Sequence, residues 1–213
     1  MCFSASASFT AGALLSMVGT ASIIKHKKTP YRFLAMTPLL FGLQQLNEGL
    51  IWITHTQEHT TTLTRAMPYS FLFFSLLLWP VWISSVLWPT LPKNNTWRKK
   101  ALALTLVIGC ITSTYFLFRL MMYGVVTSIS CSHIMYDLHL MEQPYIIIMI
   151  LYGCTTVLPC FISPNAMVWL LGIGLTVAYA ITYFFYINFL TSIWCFFAAF
   201  LSSIILFIPK EKN

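Results

Sequence analysis

Acidic residues are nearly missing from this chain: five Asp and Glu stand against twelve Lys and Arg in 213 residues, and charged residues of both signs amount to 8%. A soluble domain carries roughly 25% charged residues, so an ordinary water-soluble globule is excluded. Other chemistries lack their sequence signatures. The chain has no Cys-x-x-Cys, no Cys-x-x-Cys-His, no phosphate loop, no Gly-x-Ser-x-Gly elbow and no His-Glu-x-x-His, which leaves dithiol exchange, covalent haem attachment, P-loop hydrolysis and zincin chemistry without a motif. The SxxxH and HxxxH pattern of the seven-helix ceramidase-like hydrolases is not assembled in the expected order. Every lysine lies at the edge of an apolar run, so none is placed for a retinal Schiff base. No basic residue precedes Lys25, so the first apolar run reads as a retained span and not as a cleaved signal peptide. Internal repeats and low-complexity segments are also missing, which gives no support to a transporter built from two related halves.

What the chain has in abundance is apolar length. Hydrophobic residues make up 58% of it, and about 20 such residues in a row cross a hydrocarbon core of ~30 Å. Seven runs meet that length, at 5–24, 32–54, 67–90, 101–123, 144–162, 166–185 and 188–208. The expected fold is all-α, a single integral membrane bundle over residues 1–213 with long connections only at 55–66 and 124–143. Lys25, Lys27, Lys28, Arg32, Lys93, Arg98, Lys99, Lys100, Lys210 and Lys212 fall in alternate connections, which places those connections in the cytoplasm, the N-terminus outside and the C-terminus inside. The net charge of +7 is thereby read as an orientation signal, and no nucleic-acid partner is expected.

Small residues recur every fourth position in the first span, at Ser4, Ser8, Gly12, Ser16 and Thr20. Such a stripe lets a neighbouring backbone come close, as a seam inside the bundle or as a contact between copies in a homo-oligomer. Pro80 is expected to kink the third span and Pro159 to end the fifth. The connection TLPKNNTWRKK reads as a basic cytoplasmic turn with some capacity for anionic lipid.

The polar residues gather in one layer. Gln44, Gln45, Asn47 and Glu48 lie within FGLQQLNEGLIW, and at 1.5 Å per residue Glu48 sits roughly 24 Å from the cytoplasmic side. An acid at that depth is a functional candidate that needs a partner. Gln44, Gln45, Glu48 and Trp52 share one helix face, while Asn47 points to a neighbouring helix. Cys195 and Arg119 fall in the same outer layer, with Arg119 a candidate ion-pair partner for Glu48. The outer connection supplies Cys131, His133, Tyr136, Asp137 and His139, and Cys2 arrives from the N-terminus. His55 and His59, four residues apart, form a weak zinc candidate. Cys2 and Cys131 are the pair open to an oxidising compartment. Cofactor and metal stay open.

Three stretches, MCFSASASF, PLLFGLQQLNEGLIW and SIWCFFAAFLSS, supported by YSFLFFSLLLWP and HIMY, together resemble a family of small multi-pass bacterial membrane proteins that begin MCFSA and have no established activity. The resemblance implies a bacterial cytoplasmic membrane and emphasises Cys2, Gln44, Gln45, Glu48, Trp52, His133, Tyr136, Trp194 and Cys195. His55, His59 and His139 lie outside it.

These residues lead to an expected outward-facing site that binds a small or lipid-like molecule, and acts on it if the protein is an enzyme. Glu48 and His133 would be the acid-base groups, Gln44 and Gln45 orienting groups, and Trp52 and Trp194 walls, with membrane lipid as the surrounding partner. A transporter of a neutral solute and an accessory subunit of a membrane complex are the alternatives.

Overall fold

In a computed structural model of the chain, residues 4–55, 62–130, 133–138 and 145–209 are described. Helix α1 (Ala5–His26) opens on Ser4, whose hydroxyl accepts from Ala7 N at 3.2 Å, so the side chain caps a donor that the helix leaves unpaired. The chain then makes two 3₁₀ turns, Pro30–Arg32 and Leu34–Met36, before α2 (Thr37–His55). The second helix therefore starts later than the expected residue 32. Pro38 fits its first turn, where no N–H is needed.

α1 and α2 pack as an antiparallel hairpin. Its register sets Phe9 against Gly49, Gly12 against Leu46, Ser16 against Gly42 and Gly19 against Leu39. The small-residue stripe is thus a seam within one chain, but it does not run straight. Ser8 and Gly12 are buried, then the seam passes through Leu15 and Gly19 and leaves Thr20 exposed. A four-residue step on a helix of 3.6 residues per turn rotates by about 40°, so a strict fourth-residue stripe drifts off any one face.

The third rod is one helical run in three parts, α3 (Thr62–Leu72), a π-helical segment Phe73–Leu78 and α4 (Trp79–Leu87). It starts earlier than the expected residue 67. Pro80 explains the π-helical part. In that segment Trp79 N bonds back five residues to Phe74 O, so the next donor in line for Ser75 O would be residue 80, which has no N–H. The Tyr152 hydroxyl donates to Ser75 O instead, and Ser113 Oγ donates to Leu77 O at 2.8 Å. Neighbouring side chains thus complete the backbone that the proline opens.

Helix α5 (Thr96–Tyr123) is capped by Asn95, whose side chain accepts from Arg98 N, and ends at Gly124 with φ 70°. That left-handed conformation suits glycine. The region expected as a plain loop then forms an antiparallel hairpin, β1 (Val126–Ser130) and β2 (His133–Asp137), pairing Val126 with Asp137 and Ser130 with His133. The all-α expectation is corrected to that extent. Helices α6 (Tyr145–Ile162), α7 (Ala166–Phe185) and α8 (Leu190–Leu201) follow, and α8 continues as a 3₁₀ turn through Phe207. Pro159 does not end α6, which runs three residues further.

The described residues contain seven helical rods when α3 to α4 is taken as one. Five helices are long and apolar enough to cross a membrane, and α2 and α6 are not among them. The polar run in α2 lowers its hydropathy, and the apolar stretch assigned to α6 is the shorter Ile147–Ile162.

One end of the bundle is basic. There Lys25 Nζ donates to Leu206 O at 2.6 Å, Asn165 Nδ2 donates to Tyr31 Oη at 3.2 Å, and the Pro30–Arg32 turn packs on Trp88–Thr90. The other end carries the hairpin, tied on by the 2.7 Å bond between His55 Nε2 and Thr127 Oγ1 and by Tyr136 stacked on Phe71 at 4.7 Å.

Candidate functional site

Glu48 is fully buried, as are Gln44 and Gln45. Ser192 Oγ on α8 donates to Glu48 Oε1 at 2.6 Å, and Gln45 Nε2 donates to Oε2 at 3.3 Å. Both carboxyl oxygens therefore accept, and α2 is joined to α8 at this acid. Gln44 turns to α4, where Trp79 Nε1 donates to its Oε1 at 2.8 Å. Trp79 is in turn stacked on Phe41 with ring centroids 3.9 Å apart. The π-helical segment ends immediately before Trp79, so the distortion imposed by Pro80 sits beside the residue that meets Gln44. Asn47 leaves this face and donates to Met67 O on α3 at 3.1 Å.

Trp194 and Cys195 are buried on α8 two and three residues beyond Ser192. Trp194 is held edge-on between Tyr152 and Tyr179, each with its ring centroid 5.3 Å away. Tyr152 and Ser192, which the sequence did not single out, thus belong to the centre. A tyrosine in an apolar run carries no sequence signal for this role. Its spacing from the proline-opened carbonyl is set across helices, 77 residues apart. Tyr152→Phe is expected to lower thermal stability in detergent by about 1–2 kcal/mol, because it leaves Ser75 O unpaired in a buried site.

Several buried polar atoms around Glu48 have no hydrogen-bond partner among the described residues: Gln44 Nε2, Gln45 Oε1, Trp52 Nε1 and Trp194 Nε1. Buried polar groups are nearly always paired with protein or with ordered water. A cavity of about 30 Å³ lies between α2, α4 and α8, walled by Phe41, Trp79, Trp194 and Cys195 and extending toward Thr37 and Ser202 at the basic end; of the four residues with unpaired atoms, Trp194 lines it. About two waters would fill that volume, but its lining is almost wholly apolar and suits an apolar group better. The expected opening faced the other way, and the segments that would frame it, 1–3, 56–61, 131–132 and 139–144, lie outside the described residues.

The remaining predicted residues occupy the hairpin end. His133 is buried, with its ring 4.9 Å from Phe189 and 5.7 Å from Tyr186, one helical turn beyond Ser192. Tyr136 lies against Phe71. Arg119 Nη2 donates to Leu138 O at 3.4 Å, and its guanidinium stands 4.2 Å from the centre of the Tyr123 ring. The Arg119 bond ties the end of the hairpin to α5, and Tyr136 ties it to α3. Cys2, Cys131, His59 and His139 fall outside the described residues, and with them the disulfide candidate and half of the histidine pair. Among the described residues, no group of three or more His, Cys, Asp or Glu is placed to hold a metal ion.

No curated protein and no solved structure matches the chain. A family model does, over residues 1–213, and its description is a family of unknown function, DUF6629. The MCFSA start, the Gln-Gln-x-x-Glu-Gly run that builds the buried acid, and the Trp-Cys pair beside it are carried in a chain that belongs to the family of unknown function DUF6629.

Proposed function

We propose that this protein crosses a bacterial cytoplasmic membrane seven times, N-terminus outside and basic end inside, and binds a small or lipid-like molecule at the Glu48 centre. The observation that carries the binding reading is the set of unpaired polar atoms on Gln44, Gln45, Trp52 and Trp194 around a buried, hydrogen-bonded acid. A bundle that needed only a packing bond between α2 and α8 would have it in Glu48 and Ser192, with no cause to bury further donors and an acceptor unpaired. A ligand that brings both acceptors and a donor matches them, and the aromatic walls of Trp79 and Trp194 suit an apolar portion. Five long apolar helices and the collection of basic residues at one end support the membrane placement.

If the bound molecule is transformed, Glu48 is the group placed to give or take a proton, with Ser192 fixing its orientation. His133 stands one turn further out as the second acid-base group, approached from the outer face. A second reading is passage of a small neutral solute, favoured by the extension of the cavity to Thr37 and Ser202 at the opposite end.

Native mass spectrometry of the detergent-purified protein tests the binding reading. The wild-type chain is expected to retain a small molecule or lipid of defined mass, and Glu48→Gln to lose it while still melting cooperatively, within about 1 kcal/mol of wild type. Equal retention by the variant would remove Glu48 from the binding centre, and counterflow of a solute into proteoliposomes would favour passage.

A further inference from the structure

We propose that the segment Lys93–Lys100 at the basic end is a binding site for the headgroup of an anionic phospholipid, with the Arg98 guanidinium taking the phosphate. The site rests on the membrane-spanning reading above and is independent of the Glu48 centre. Four bases, Lys93, Arg98, Lys99 and Lys100, lie within this short connection and the first turn of α5. Among the described residues the carboxylates are Glu48 and Asp137, neither of them at this end. The charge here has no internal counter-ion in that set.

Arg98 is the focus because its donors are unused. Its Nε and Nη1 are buried without a hydrogen-bond partner, and a guanidinium half withdrawn from water calls for an anion. The fork of Nε and an Nη group matches two oxygens of one phosphate, which a lysine cannot do. The end of α5 is not itself the seat, because the Asn95 side chain already accepts from Arg98 N. Lys99 Nζ is engaged with Lys93 O at 2.8 Å, which folds the turn.

The surroundings select a lipid over a soluble phosphate. Trp97 is 62% exposed and Trp88 42% exposed on either side of the turn, and exposed tryptophans at a helix end are the residues that sit at headgroup depth. The Trp97 ring also lies 5.7 Å from the Arg98 guanidinium carbon, which leaves an apolar surface beside the phosphate position for the glycerol and the first acyl carbons. The same end of the bundle carries Lys27, Lys28 and Arg32 through the Pro30–Arg32 contact with Trp88–Thr90, so the local field favours an anionic lipid.

The test is lipid retention by the full chain in native mass spectrometry, with phosphatidylglycerol and an uncharged, phosphate-free diacyl glycolipid offered in equal amounts. Wild type is expected to keep phosphatidylglycerol about tenfold more, the preference given by one charge-assisted bidentate contact. Arg98→Gln should abolish the preference and Lys28→Gln should leave most of it. Arg98→Lys, which keeps the charge and the polar end of the side chain, should also lose most of it. Loss of preference in Lys28→Gln as large as in Arg98→Gln would show a diffuse field and overturn the site. Full preference in Arg98→Lys would overturn the guanidinium assignment. Displacement of the lipid by excess inorganic phosphate would overturn the choice of a lipid. Release of the wild-type chain from membranes by alkaline carbonate without detergent would remove the membrane reading, and the site with it.

Discussion

Gly109→Ala is expected to destabilise the fold by about 3 kcal/mol, measured as a loss of thermal or denaturant stability in detergent, because overpacking against backbone cannot be relieved by a side-chain rotation. A Cβ at residue 109 would stand well under 3.0 Å from the Pro80 carbonyl oxygen. α5 would have to move away from the third rod, drawing Ser113 from Leu77 O and Thr105 from its 3.0 Å bond with Ser84. The consequence reaches the centre, since Pro80 lies next to Trp79 and Trp79 is the donor to Gln44. Gly153→Ala is the matched control. There the nearest atom to an added Cβ is on the Tyr179 ring at 3.6 Å, an ordinary contact, and alanine gains up to ~1 kcal/mol over glycine within a helix. Equal losses in the two variants would mean that close passage at Pro80 is not what the bundle depends on.

The second large effect concerns the acid itself. Glu48→Ala leaves Ser192 Oγ and Gln45 Nε2 facing a space with no acceptor, both buried. Each unsatisfied group costs ~1–3 kcal/mol, so a loss of about 3 kcal/mol is expected together with the removed packing. Glu48→Gln keeps the shape and one carbonyl acceptor, and the Ser192 hydroxyl can turn to accept from the new amide, so its cost is expected near 1 kcal/mol. Thermal melts of the two variants side by side check this. A Glu48→Ala protein as stable as Glu48→Gln would mean that the carboxyl does not join α2 to α8.

Much of the centre was legible in one helix. Helical spacing put Gln44, Gln45, Glu48 and Trp52 on a common face and turned Asn47 away, and the first three are buried together while Asn47 bonds α3. Depth counted along α2 and α8 also brought Cys195 toward the same layer, and Ser192, three residues before it on α8, donates to Glu48. Both inferences use a fixed rise and rotation per residue, which hold for any helix whatever it packs against.

Partnership was not legible, because it depends on how helices rotate and cross. Counting puts Arg119 in the layer of Glu48, but that Arg119 also donates to Leu138 O and stands over the Tyr123 ring could not be read from it, because the hairpin beside that end of α5 has little local sequence signal. The hairpin itself gave little signal: its strands are five residues each and do not alternate cleanly between buried and exposed positions.

The sequence by itself determined a chain too apolar and too poor in acids for an aqueous fold, the periodic faces of its helices and the position of its single deep carboxyl. Those properties follow from composition and helix geometry alone. Tertiary structure decided which groups meet that carboxyl. Ser192 lies 144 residues away in sequence, and Tyr152 enters the same core because Pro80 withholds a donor from Ser75 O. A hydrogen bond between distant helices is fixed by their packing, and no local pattern of residues encodes it.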